Sequence, residues 1–213
     1  MFRDELVLPR TLGPCFAGEQ FKCMLAVTCK QPISDGQLKI EMQTKTEATE
    51  LLSDSHVATD NQHSYTALLE HEFDRAGSRV LTVALRYPQG DHMKTVSKTF
   101  TFEVCEAISV RSRINLSNST FEARDPAASA VLVVEAMIEN LTENVLTITR
   151  CNLISDNYSQ VGGLPAQAAL RPKDVFSFAF VLEGSGATIG RLEVGWAREP
   201  FGTVGHTNIV IRR

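Results

Sequence analysis

Period-2 alternation of apolar and polar residues, turn clusters roughly every 8 to 15 residues and a near absence of helical periodicity predict an all-β chain of two tandem immunoglobulin-like antiparallel β-sandwiches. The 213 residues are 43% hydrophobic and 22% charged, an ordinary globular composition with enough apolar material for one large or two small cores. We expect the first domain at residues 1–105 and the second at 106–213, with the seam near Cys105-Glu106-Ala107, where one strand feeds directly into the next. Such a short connection implies a semi-rigid pair.

The first domain opens with Phe21, Cys23, Leu25 and Val27 on one face of a strand, followed by the turn cluster Gln31 to Gly36. Leu38, Ile40 and Met42 then alternate with Lys39, Glu41 and Gln43. Thr46 to Ser53 does not sustain a 3.6-residue pattern, so helix is the weaker reading there. Tyr65 to Glu70, Arg79 to Tyr87 and Lys98 to Val104 are further strands, the last two joined by a hairpin turn within Tyr87-Pro88-Gln89-Gly90-Asp91. The expected core comprises Phe21, Leu25, Leu38, Ile40, Val83, Leu85, Phe100 and Phe102.

In the second domain, Ala107 to Ile114, Ala130 to Ile138, Val145 to Leu153, Asp174 to Leu182, Arg191 to Trp196 and Thr207 to Ile211 read as strands by β-branched and aromatic content. Only Leu164 to Leu170 suits a short helix, confined by Pro165 and Pro172. Val133, Ile148, Phe178, Leu192, Val194 and Trp196 are the expected core.

Charge and cysteines bound the function. With 21 basic and 25 acidic residues the formal charge is −4, which argues against a general nucleic-acid binder. The start, Met1 to Pro9, carries acids and a proline in place of a secretory apolar run, and no stretch reaches the roughly 20 apolar residues of a membrane span. We therefore expect a soluble chain. Five cysteines (Cys15, Cys23, Cys29, Cys105, Cys151) lack any Cys-x-x-Cys pair, so neither a disulfide framework nor a zinc site is expected. Four Asn-x-Ser/Thr sequons, at Asn115, Asn118, Asn140 and Asn157, are read as turn-rich composition in the absence of a signal.

The motifs that carry chemistry elsewhere are weak here. Gly184, Gly186 and Gly190 fail the spacing of a dinucleotide loop and precede a strand, which favours a hairpin turn. His56, His63, His71, His92 and His206 are scattered; a metal pair drawn from His63, His71, Glu70 and Glu72 is the minor reading beside ordinary surface histidines. No nucleophile elbow or Cys/His/Asp constellation is present in local sequence. We expect no catalytic, cofactor-binding or metal residues, and Trp196 is assigned to core packing. Arg191, Arg198, Arg212 and Arg213 suggest a local positive field at one end, where Thr207 to Ile211 is a candidate exposed strand able to extend a partner's sheet.

Beyond these patterns, particular residues in order matter. Leu8-Pro9, Gly13, Phe16, Gly18-Glu19 and Phe21, then Arg79 to Tyr87, Lys98 to Val104, Glu135 to Asn140, Leu170-Arg171-Pro172-Lys173-Asp174 and Ile189 to Trp196, resemble the core region of the trafficking protein particle (TRAPP) complex subunit 13 family. Family members usually carry an N-terminal extension and a further β domain after this region, whereas the given sequence starts at the core and closes at Ile211-Arg212-Arg213, as a naturally short relative or a fragment would. The resemblance implies a non-catalytic accessory subunit, without cofactor, of a vesicle-tethering and Rab guanine-nucleotide-exchange complex in Golgi and autophagy trafficking. Its implied partners are other TRAPP subunits and, indirectly, Rab GTPases, with no nucleic acid. The implied location is cytoplasmic, peripheral to Golgi or ER-Golgi membranes and held there only through the complex. In that compartment five free thiols are expected. The competing reading is an extracellular adhesion or receptor fragment, which would use the sequons.

Overall fold

The computed structural model describes residues 14–29, 32–58, 64–116, 130–163, 168–199 and 203–212. Leu8, Pro9, Gly13, His63, the sequon at Asn118, residues 164–167 of the expected short helix and Arg213 lie outside the described residues. Among the described residues every regular element is a strand. Contacts divide the chain into two units, one of residues 1–16 and 20–105, the other of residues 17–19 and 106–213. Ala17 to Glu19 is thus part of the second unit, although it precedes the first unit's strands.

The first unit contains β1 (Cys15–Phe16), β2 (Gln20–Thr28), β3 (Gly36–Gln43), β4 (Ala48–Val57), β5 (Ser64–Glu72), β6 (Gly77–Gln89) and β7 (His92–Cys105). Five form a sheet in the order β1-β7-β6-β3-β4, and β2 pairs with β5 in a second sheet. Alternation does the sorting: Leu38, Ile40 and Met42 face inward on β3, and Leu81, Val83 and Leu85 on β6, all buried. Aromatic rings join the sheets, with Phe21 of β2 centred 6.1 Å from Phe102 of β7 and 5.5 Å from Phe73. The β6–β7 hairpin pairs Gln89 with His92, so the loop shrinks to Gly90-Asp91. Pro88 is tolerated inside β6 because pairing to β3 ends at Arg86, leaving no ladder bond for a proline to break.

Three expectations need correction here. The β1–β7 pairing is parallel, Cys15 with Val104 and Phe16 with Cys105, so the sandwich is not wholly antiparallel; a two-residue strand carries no alternation from which to read its presence or direction. Phe100 and Phe102 are half-buried. Both lie on β7, whose inward side chains are covered less fully than those of β6 at the sheet's centre.

The second unit contains β8 (Ile108–Leu116), β9 (Ala130–Asn140), β10 (Leu146–Ile154), β11 (Tyr158–Gly163), β12 (Ala168–Leu170), β13 (Val175–Gly184), β14 (Thr188–Arg198) and β15 (Thr203–Arg212). They form two four-stranded sheets, β12-β10-β14-β15 and β11-β13-β9-β8. From β9 to β14 the chain changes sheet at every connection. Its core holds Leu132, Val134, Ala136 and Ile138 of β9, Ile148 and Cys151 of β10, Phe178, Phe180 and Leu182 of β13, and Leu192, Val194 and Trp196 of β14.

Val133 points the other way: it is half-buried on the outer face, opposite Val181. The run Val131-Leu132-Val133-Val134 is apolar on both faces, so composition alone cannot fix which side faces inward. The expected helix at Leu164 to Leu170 is also corrected, because Ala168 to Leu170 pairs with β10 as a strand. Those ladder bonds override the helical preference of two alanines.

Cys23, Cys105 and Cys151 are free thiols. Burial pushes the Cys151 thiol from an ordinary 9.0 up to about 12, whereas Cys105 is exposed. Iodoacetamide at neutral pH should therefore label Cys105 in the native protein and reach Cys151 only after unfolding, as read by peptide mass spectrometry. Rapid native labelling of Cys151 would refute the placement. Because the folded state retains this proton and the unfolded state releases it near 9, Cys151 stabilises the fold less as pH climbs from about 9 towards about 12.

Candidate interaction site

The last strand, β15, forms one end of its sheet and pairs with β14 from Arg198 opposite Thr203 to Thr188 opposite Arg212. On its other side the His206 N–H donates to the Gly18 carbonyl at 3.1 Å, and Glu19 makes a single antiparallel bridge to Gly205. Gly205 is required by its neighbour: a Cβ there would be driven into the Trp196 indole. Gly18 has φ of 82° and lies against the His206 carbonyl, where a side chain would also collide. These two glycines allow Ala17 to Glu19 to lie along the strand and bring Glu19 to Arg198.

The Arg198 Nη2 donates to Glu19 Oε1 at 2.8 Å, with both side chains less than one-tenth exposed (8% and 7%). The expected positive field is corrected accordingly, since Arg198 is a buried ion-pair partner. Arg191 donates to Glu193 at 2.7 Å, and Arg150, which the sequence did not single out, donates to the other oxygen of the same carboxylate at 2.8 Å. Arg212 is exposed and has no ion pair among the described residues. Val210, two residues before it, is 57% exposed, and Val204 at the other end of the strand is 63% exposed. Ile154, Arg191 and Val210 stand in one row across β10, β14 and β15. With Ser155 to Asn157 and Thr188 to Gly190 they line a notch of about 390 Å³.

At Asn140 a buried side chain organises the loops that follow β9 and β12. Its Nδ2 donates to the Asn144 and Leu170 carbonyls at 2.8 and 2.9 Å, while Oδ1 accepts from the Thr142 N–H and hydroxyl at 2.8 and 2.9 Å. Asn140 is wholly inaccessible. In the folded chain no glycan fits on an amide whose donors are both spent inside the fold, so this sequon is structural. The neighbouring turn Arg171-Pro172-Lys173-Asp174 closes with the Asp174 N–H donating to the Arg171 carbonyl at 3.0 Å. Lys173 sits in it at φ of 69°, a position of a type II turn that favours glycine. Lys173→Gly is expected to stabilise the fold modestly, by up to about 1 kcal/mol, and so to raise the urea midpoint; a lower midpoint would show that the lysine is unstrained.

The remaining candidates disperse. Glu70 takes Lys22 at 2.9 Å on the exposed face of β5, while His71 packs edge-on against Phe73 at 5.5 Å. Burial, and then the Arg79 charge, lower the His71 pKa. No group of three or more His, Cys, Asp or Glu suited to a metal occurs among the described residues. Gly184 ends β13, and Gly186 and Gly190 lie in and after the connection to β14, where the Tyr158 hydroxyl donates to the Gly186 carbonyl at 2.8 Å. In the first unit, Met24 and Leu68 are 69% and 64% exposed and oppose each other across β2 and β5. No described helix is long and apolar enough to cross a membrane.

Known proteins share this chain's features. Residues 1–104 match the family model described as trafficking protein particle complex subunit 13, N-terminal. Trafficking protein particle complex subunit 13 of Pongo abelii is 22% identical over 226 residues, covering 92% of this chain and 53% of the relative. That of Xenopus laevis is 25% identical over 158 residues, covering 72% and 36%. The chain spans about half the length of the Pongo relative it matches. In structure, alpha-2-macroglobulin of E. coli in its native conformation aligns with a TM-score of 0.50 at 11% identity, over 99% of this chain and 17% of that one, a likeness of fold alone. The chain is therefore similar to the trafficking protein particle complex subunit 13 family, over residues 1–104 by the family model and over most of its length by relatives of that name.

Proposed function

We propose that this chain serves as an accessory, non-catalytic subunit of a TRAPP-type complex, acting by protein–protein docking in vesicle trafficking. The observation that carries the reading is the family match over residues 1–104, extended by relatives of the same name over 92% of the chain. The surfaces support it: Val204, Val210, Met24 and Leu68 offer exposed apolar area on strands that are rigidly held by their ladders. In this role the chain binds larger subunits and affects Rab nucleotide exchange only by bracing them, on the cytoplasmic side of Golgi or ER-Golgi membranes. The two contact-defined units correspond in this reading to two immunoglobulin-like docking domains.

The tagged chain, recovered from lysate of its source cell, is expected to co-purify TRAPP core subunits identified by mass spectrometry. Recovery of surface glycoproteins, or of no TRAPP subunit, overturns the assignment. Added alone to Rab GTPases loaded with labelled GDP, the chain should leave the release rate unchanged; a clear acceleration would make it an exchange factor in its own right.

A further inference from the structure

We propose that the free side of β15 between Thr207 and Ile211 binds an extended segment of a partner protein, one with apolar side chains facing the core and an acidic residue beside Arg212. This deepens the docking role above and rests on it. The backbone supplies the first argument. Because the His206 N–H points away from β14 to the Gly18 carbonyl, strand alternation turns the N–H and C=O groups of Asn208 and Val210, and the N–H of Arg212, to the same outer side. The contact with the Ala17 to Glu19 segment reaches Gly205 and His206. Beyond it no described strand pairs with these groups. An edge with unpaired donors and acceptors is a template for strand addition.

Side chains narrow the occupant. On the core side of β15, Gly205 and Ile211 are buried while Thr207 and Ile209 between them remain half-buried. The inner layer is therefore incompletely covered at this edge, and apolar residues of an added strand would cover Ile209. On the outer side, Val210 is 57% exposed and Arg212 is an exposed cation without an ion pair among the described residues. A neighbouring carboxylate on the added strand satisfies Arg212, while its aliphatic stem rests on Val210. A basic segment would repel Arg212.

The test uses the full 213-residue chain with two fluorescein-labelled peptides, one alternating valine and glutamate and one alternating valine and lysine. The glutamate peptide is expected to bind about tenfold more tightly or better by fluorescence polarisation. Hydrogen exchange at the Asn208 and Val210 amides should slow when it is bound. Val210→Pro removes an outward donor and should abolish binding. Arg212→Glu, an exposed change that leaves the fold intact, should reverse the charge preference and keeps the test decisive if the proline variant unfolds. No binding, equal binding of both peptides, or binding that leaves those amides unprotected overturns the proposal. Failure here with TRAPP subunits still co-purifying would reject this edge alone; failure of both would reject the docking role with it.

Discussion

Asn140→Ala is expected to destabilise the second unit by about 3 to 5 kcal/mol. The side chain makes four hydrogen bonds at 2.8 to 2.9 Å, and its partners Thr142, which donates to it, and Leu170, which accepts from it, are themselves 2% exposed. Truncation strands the Thr142 N–H and the Leu170 carbonyl away from water, and each stranded group costs about 1 to 3 kcal/mol. Asn140→Asp should fare no better, because its second carboxylate oxygen would face two carbonyl oxygens where an amide now donates. The sole tryptophan, Trp196, is fully buried in the same unit, so urea unfolding followed by its fluorescence reads the effect directly. A loss below about 1 kcal/mol would mean that water replaces the amide without penalty.

Arg198→Met should cost about 3 to 5 kcal/mol, because it leaves the Glu19 carboxylate buried without its cation. The pair lies at 2.8 Å with both side chains nearly inaccessible. Replacing both members, Glu19→Leu with Arg198→Met, should recover most of that loss, since well-packed apolar residues often substitute for a buried ion pair at little net cost. The double-mutant cycle separates the worth of the pair from the penalty of breaking it. A double variant as unstable as the single one would show that Glu19 and Arg198 act through other contacts.

How much of this was legible in the sequence depended on period and distance. β3 and β6 alternate cleanly, and their inward residues Leu38, Ile40, Leu81, Val83 and Leu85 follow from that alone. β9 is apolar on both faces, so Val133 could be placed only once its register with β13 was known. β11 has a register shift between Gln160 and Gly162 that breaks alternation, and β12 has three residues. In the interaction site, Thr207 to Ile211 was readable as a strand, and its outer position in the sheet required topology. Arg198 looked like surface charge because nothing local announces a partner at Glu19. Asn140 read as a sequon and a turn, since a hydrogen-bonding hub has no signature beyond the residue type.

On the ribosome, Glu19 is made 179 residues ahead of Arg198. The early carboxylate must stay hydrated while the intervening chain is synthesised. The strand that receives its segment, β15, is made after Arg198 itself. Docking of Ala17 to Glu19 therefore has to wait for β15, although its residues are translated far ahead of that strand. If the docking follows the pairing of β14 with β15 in folding, the contact is absent from the folding barrier and present in the native state. Loss of the Arg198 guanidinium would then hasten unfolding by roughly a hundred- to a few thousand-fold while leaving the folding rate nearly unchanged, so the contact would act as a kinetic latch.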